Sequence, residues 1–158
     1  MRTKIYYVLA LLLSISSIQA QSIEKLFKKY SDSEFVEYIA VGKSLMKLVA
    51  PLADYSYLTD GELQSISSIK SISLKNNTAN QELSAAISKD LDKIIQKENF
   101  ETTLEKRDKK QYTYVYRKLN INLNADYIIY VSDNTGLKLV WLKGKTTPEA
   151  IEQNNSED

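Results

Sequence analysis

The chemistry open to this chain is limited first by which side chains it lacks. It has no histidine and no cysteine. Ser-His-Asp and Cys-His arrangements are therefore impossible within it. The commonest base at neutral pH and a preferred zinc ligand are missing as well, and neither a metal site nor a cofactor is expected. Catalysis would have to run on carboxylates, lysines, tyrosines or serines. The local acid pairs are Asp90 with Asp92 and Glu101 with Glu105. Residues two apart on a helix do not share a face. On a strand, positions 101 and 105 share one but stand about 13 Å apart at ~3.3 Å per residue. Glycosidase pairs sit at about 5–9.5 Å. Acid/base chemistry would need distant carboxylates brought together by folding, so the expected protein is not an enzyme.

Gly42-Lys43-Ser44 has the look of a P-loop terminus, but Glu37 occupies the position of the first glycine and would repel phosphate. The triplet reads as a tight strand-to-helix turn. Asn76-Asn77-Thr78 and Asn154-Asn155-Ser156 fit the N-glycosylation pattern, and the first reads as a helix cap.

Tyrosine is the compositional oddity, with 11 in the chain and two of them, Tyr6 and Tyr7, near its start. Tyr112, Tyr114 and Tyr116 alternate with Thr113 and Val115, which places the three rings on one face of a strand. A tyrosine buries its ring and keeps a polar tip, which suits half-buried sheet faces and interfaces alike. Two readings follow: a platform for a partner, or packing against Leu83, Ile87 and Leu91 of a neighbouring helix. Packing is the expected one. Lys106, Arg107, Lys109, Lys110, Arg117 and Lys118 form the main basic concentration, around Asp108. Such a charged hairpin tip ordinarily protects an edge. The candidate partner contacts are Tyr112, Tyr114, Tyr116, Lys109 and Lys110.

Residues 1–20 read as an export signal. Arg2 and Lys4 precede an apolar run, Ile5 to Leu13, and Ile18-Gln19-Ala20 offers a small residue for cleavage before Gln21. About 9 to 11 apolar residues fall short of the roughly 20 that span a bilayer, so no stable anchor is expected after cleavage at Ala20-Gln21. Cleavage would leave 19 basic against 20 acidic side chains, since Arg2 and Lys4 are lost from the 21. Such balance predicts no general attraction to nucleic acid or anionic membranes. Packing must hold the domain, because disulfides cannot.

Local patterning predicts the elements. Ser22 to Tyr30 reads as a short amphipathic helix and Glu34 to Val41 as a strand. Lys43 to Leu52 returns to helical spacing, stopped by Pro51. A loop follows at Asp54 to Gly61, then a helical turn at Glu62 to Ser67 and a strand at Ile69 to Lys75. The clearest helix runs from Asn80 to Lys97, with Leu83, Ile87, Leu91, Ile94 and Ile95 in one stripe. Beyond Asn99 the period becomes two. A strand from Phe100 to Leu104, a turn at Arg107 to Lys110 and the tyrosine strand lead to strands at Asp126 to Ser132 and Leu137 to Lys143. Asp133-Asn134-Thr135-Gly136 joins the last two, with Gly136 available for positive φ. Thr147-Pro148-Glu149 is a helix-start signal. Half-apolar strands and one-sided helices are best buried in two layers. The expected fold is α+β, a mostly antiparallel sheet with helices packed mainly on one face. It forms one domain over residues 21–153, with a frayed polar tail at 154–158.

Ala20 to Leu52 resembles the start of an uncharacterised exported family of Bacteroidota, domain of unknown function 4252. The shared features are the Ala20-Gln21 junction, a short helix ending in Tyr30-Ser31-Asp32, a strand, and Gly42-Lys43 opening an apolar helix. Ile69 to Leu74 and Leu139 to Gly144 are similar too, with Ser71 where glycine is expected. The resemblance implies a Gram-negative envelope and a genomic setting that often includes extracytoplasmic-function sigma factors; it carries over no catalytic residue. The expected protein is a non-catalytic, exported, periplasmic interaction module with an envelope protein as partner and a link to envelope signalling. The alternatives are a carboxylate-dependent hydrolase of envelope polymers and a carrier of a lipid or amphiphile beneath the long helix.

Overall fold

A computed structural model describes residues 22–45, 65–77, 80–121 and 124–145. The Ala20-Gln21 junction, the loop at 54–61, the helix start at Thr147 and the tail at 154–158 lie outside those residues. Of the helix expected at 43–52, only residues 43–45 are described, and they are helical.

Helix α1 spans Ile23–Ser31, started by Ser22, whose hydroxyl accepts the Lys25 N–H at 3.3 Å. Strand β1 is Val36–Val41 and β2 is Ile66–Lys75. Ile66 and Ser67, expected in a helical turn, belong to β2, because their place in the sheet outweighs their local propensity. Ile66 pairs with Gly144 of β6, and Ser67 sits at the register shift before Ser68, its hydroxyl donating to the Lys143 carbonyl at 3.1 Å. Helix α2 spans Gln81–Lys97. Its N-cap residue, Asn80, makes no side-chain cap hydrogen bond; upstream of it the Asn77 side-chain oxygen accepts the Asn80 N–H at 2.9 Å. Its end is a Schellman stop. Asn99 takes φ 55° and the Phe100 N–H reaches back to the Ile95 carbonyl at 3.1 Å.

Strands β3 (Glu101–Asp108), β4 (Gln111–Leu119), β5 (Asn124–Asp133) and β6 (Gly136–Lys145) form a meander. Each runs past its expected end. The turn expected at 107–110 shrinks to Lys109-Lys110, since Arg107 and Asp108 pair with Tyr112 and Gln111. The six strands lie in the order β1-β2-β6-β5-β4-β3, and every neighbouring pair is antiparallel. The two edges differ. Strand β3 carries Glu101, Glu105, Lys106, Arg107 and Asp108 and a register shift between Thr102 and Leu104, which together guard an edge. Strand β1 keeps regular register and leaves Tyr38 and Ile39 exposed.

The fold is α+β, as expected, and the described helices pack on one sheet face. Ile23, Leu26, Phe27 and Tyr30 of α1 and Ile87, Leu91 and Ile94 of α2 share a core with Ile72, Ile128, Leu139 and Trp141. Each such aliphatic side chain contributes about 1.5–3 kcal/mol on full burial. On the opposite face Ile69, Val115, Tyr127, Ile129, Val140 and Leu142 form a second buried cluster, drawn from strands alone among the described residues.

Two carboxylates lock the helical layer. Asp90 on α2 accepts the Tyr30 hydroxyl at 2.8 Å and the Lys29 ammonium at 2.7 Å, both from α1. Glu98 accepts the Ile23 N–H at 3.3 Å and pairs with Lys118 of β4. At the β5–β6 hairpin, Gly136 does not use positive φ. Its requirement is space: a Cβ there would stand 2.1 Å from the Leu74 carbonyl oxygen of β2. Gly136→Ala should therefore destabilise the protein by about 1–3 kcal/mol or more, the cost of overpacking. At Gly42 an added methyl group would meet nothing within 4 Å among the described residues, so alanine should be tolerated there within about 0.5 kcal/mol. Urea denaturation of the two variants checks the contrast.

Candidate functional site

Alternation along β4 sends Tyr112, Tyr114 and Tyr116 to the helical face and Thr113 and Val115 to the other. Cross-strand register sets Tyr114 opposite Tyr130 and Tyr116 opposite Ile128. Helix α2 runs beside them, presenting Ser88, Leu91 and Asp92 at i, i+3 and i+4, one helical face. Together Ser88, Leu91, Asp92, Tyr114, Tyr116 and Tyr130 line a groove of about 340 Å³.

The rings are ordered by contact. Tyr114 and Tyr116 lie parallel, 7° apart with centroids at 6.0 Å, and Tyr130 tilts by 49° against Tyr114 at 6.3 Å. The Ser88 and Tyr130 hydroxyl oxygens are 3.0 Å apart, and Ser88 donates to the Ser84 carbonyl at 3.0 Å. Ser88 has one proton, so Tyr130 is the donor to Ser88. Arg107 donates to the Tyr114 hydroxyl at 3.4 Å and pairs with Glu105 at 2.7 Å. Burial, and after it the Asp92 carboxylate, pushes the Tyr116 hydroxyl up to about 12. It is a protonated hydrogen-bond donor throughout the physiological range.

The expected contacts divide. Tyr116 and Tyr130 pack on the core that holds Leu83, Ile87 and Leu91. Tyr114 is half-buried and lines the groove, whereas Tyr112 is 49% exposed outside it. Lys109 and Lys110 form the exposed hairpin turn and do not line the groove. Ser88, Asp92 and Tyr130 complete the site, although the sequence offers Asp92 only as half of a local acid pair and marks neither Ser88 nor Tyr130. The i, i+3, i+4 set beside the apolar stripe is a visible signal for the first two, but no local pattern pairs Tyr130 with Tyr114.

Neither local acid pair converges. Asp90 is buried against Lys29 and Tyr30, while Asp92 opens onto the groove. Glu101 and Glu105 do not share a face, contrary to the strand expectation. The bulge at Thr103 sets Glu101 opposite Arg117 and Glu105 opposite Tyr114, which point to opposite sides of β4. Another carboxylate near a cavity, Asp126, already accepts from Trp141 Nε1 at 2.9 Å and Asn120 Nδ2 at 2.8 Å. Gly42-Lys43-Ser44 is exposed at the end of β1.

The sequence profile of a family described as a domain of unknown function, DUF4252, matches residues 30–154. The chain belongs to that family. No curated protein and no solved structure matches it. The matched span of this DUF4252 domain includes all six strands, α2 and every groove residue, whereas α1 up to Lys29 precedes it.

The graded burial of the tyrosines predicts graded losses of stability. Tyr116→Ala should cost about 2–3 kcal/mol, short of the 3–5 of a fully buried aromatic. Tyr114→Ala should cost about 1–2 kcal/mol, and Tyr112→Ala no more than about 0.5 kcal/mol. Urea melts give the order. The raised Tyr116 hydroxyl has a pH signature as well. Its stabilisation is full below the unfolded value of 10.0 and is lost as pH rises toward about 12. Tyr116→Phe should flatten the fall in stability over that window and remove a late-titrating phenol from the ultraviolet titration.

Proposed function

We propose that this DUF4252 domain is a non-catalytic, exported interaction module of the cell envelope, with the tyrosine groove and neighbouring Tyr112 as its partner surface. The observation that carries this reading is the incomplete cover of the tyrosine face. Tyr116 is anchored in the core, Tyr114 is half-covered and Tyr112 is open, so a rigid aromatic row runs from the interior to solvent. Aromatic side chains held in this way lose little entropy on binding and supply much of an interface's energy.

Export is supported by the charged, apolar and small-residue segments of residues 1–20. No described helix is long and apolar enough to cross a membrane. A periplasmic setting and a part in envelope signalling follow from the same reading. Hydrolysis has less support, because the acid pairs diverge. Amphiphile carriage beneath α2 also has less, since Ile87, Leu91 and Ile94 are closed against the sheet at 0–2% exposure.

A photo-crosslinking amino acid placed at Tyr112 in the native host tests the proposal, with the same group at exposed Glu82 as control. The expected result is a discrete adduct at position 112 that Tyr114→Ala abolishes in a folded variant. Equal adduct patterns at 112 and 82, or no effect of Tyr114→Ala, would refute it.

A further inference from the structure

Some aromatic rings on the helical side of the sheet have a lysine ammonium over them, and others, Phe27 and Tyr112 among them, have none among the described residues. Lys29 lies 4.8 Å from the centroid of Tyr30, Lys118 lies 4.9 Å from that of Phe100, and Lys70 and Lys143 lie 5.1 and 4.4 Å from that of Trp141. The groove rings Tyr114, Tyr116 and Tyr130 belong to the uncovered ones. A carboxylate lines the same groove, and among the described residues no lysine or arginine lies within ion-pair distance of Asp92. Glu105, the other acid nearby, is paired with Arg107 at 2.7 Å, and that guanidinium reaches only the Tyr114 hydroxyl, at 3.4 Å. The charge left over in the groove is thus a single negative one, set among three aromatic rings.

We propose that the groove receives the ammonium group of a lysine side chain from a partner protein, with Asp92 as its counter-ion and the faces of Tyr114, Tyr116 and Tyr130 as its walls. This rests on the groove being the partner surface and adds the chemistry of what enters it. The ring quadrupole attracts a cation within about 6 Å of the centroid, more strongly as water is excluded. The four-carbon stem of lysine lies along apolar surface while its head stays polar, which fits a floor made by Leu91 and a rim made by Asp92. A carboxylate is the wrong guest: it would meet the Asp92 charge. The protonated Tyr116 hydroxyl adds no competing charge. Lys89 and Lys93, which flank Asp92 in sequence on α2, are absent from the groove lining, and Lys93 instead approaches Asp90 at 3.9 Å.

The test is a nuclear magnetic resonance titration of the folded domain, following the tyrosine ring signals. The probes are blocked glycine-rich pentapeptides with lysine, norleucine, arginine or glutamate at the centre. The lysine peptide should shift the rings of Tyr114, Tyr116 and Tyr130 saturably, and added salt should weaken its binding. Asp92→Asn, an exposed position on α2, should weaken it by about threefold to tenfold while the circular dichroism spectrum is unchanged. Equal shifts with norleucine would remove ammonium recognition yet leave an apolar partner surface standing. Tighter binding of the arginine peptide would replace ammonium by guanidinium and overturn the assignment. No response to the lysine peptide up to its solubility limit, or an unchanged response in Asp92→Asn, would overturn it too. A Tyr112 crosslink that persists alongside such a failure would show that this inference alone has fallen.

Discussion

Ile87, Leu91 and Ile94 on one side of α2 join Ile72, Ile128 and Leu139 of the sheet in a single buried cluster, and removing that stripe from water holds the two layers together. The sheet beneath depends on a long-range pairing. Strand β2 lies against β6, more than 60 residues away in sequence, so the segment that carries α2 must cross the sheet face from β2 to β3 at the far edge. The approach is tight enough that Gly136 has no room for a side chain. Asp90 and Glu98 then fix where α1 and the C-terminal half of α2 can sit, through partners in α1 and β4.

The groove is a by-product of that closure. The apolar stripe of α2 shares its core with β2, β5 and β6, and it reaches β4 only through Tyr116. The next helix positions toward β4 are Ser88 and Asp92, which cannot complete a hydrophobic layer. Tyrosine resolves the mismatch, because its ring continues the core outward while its hydroxyl satisfies polar neighbours such as Ser88 and Arg107. Residues that leave the site open to a partner are in this way the same ones that finish the packing.

Much of this is legible locally. Ser22 and the spacing of Ile23, Leu26 and Phe27 mark α1, the stripe from Leu83 to Ile95 marks α2, and the alternation of Tyr112 to Tyr116 assigns the faces of β4. Features that depend on distant contacts are not legible. The β2–β6 pairing places Ile66 and Ser67 in a strand, and nothing near those residues in sequence announces it. The bulge at Thr103 separates Glu101 from Glu105, and a strict period of two hides such an insertion. At Gly136 a glycine is needed, as the hairpin pattern suggests, but for close approach instead of backbone angle. The groove is half visible, since the tyrosines announce themselves and Asp92 becomes meaningful only once α2 is set beside β4.

Helix α2 lies on the tyrosine face of β4 and covers it only in part. Nuclear Overhauser contacts from the methyl groups of Leu91 test this most directly. Contacts to the groove tyrosines are expected, strongest to Tyr116, and none to exposed Tyr112. Contacts from Leu91 to Val115 or Tyr127, which lie on the opposite face, would contradict it.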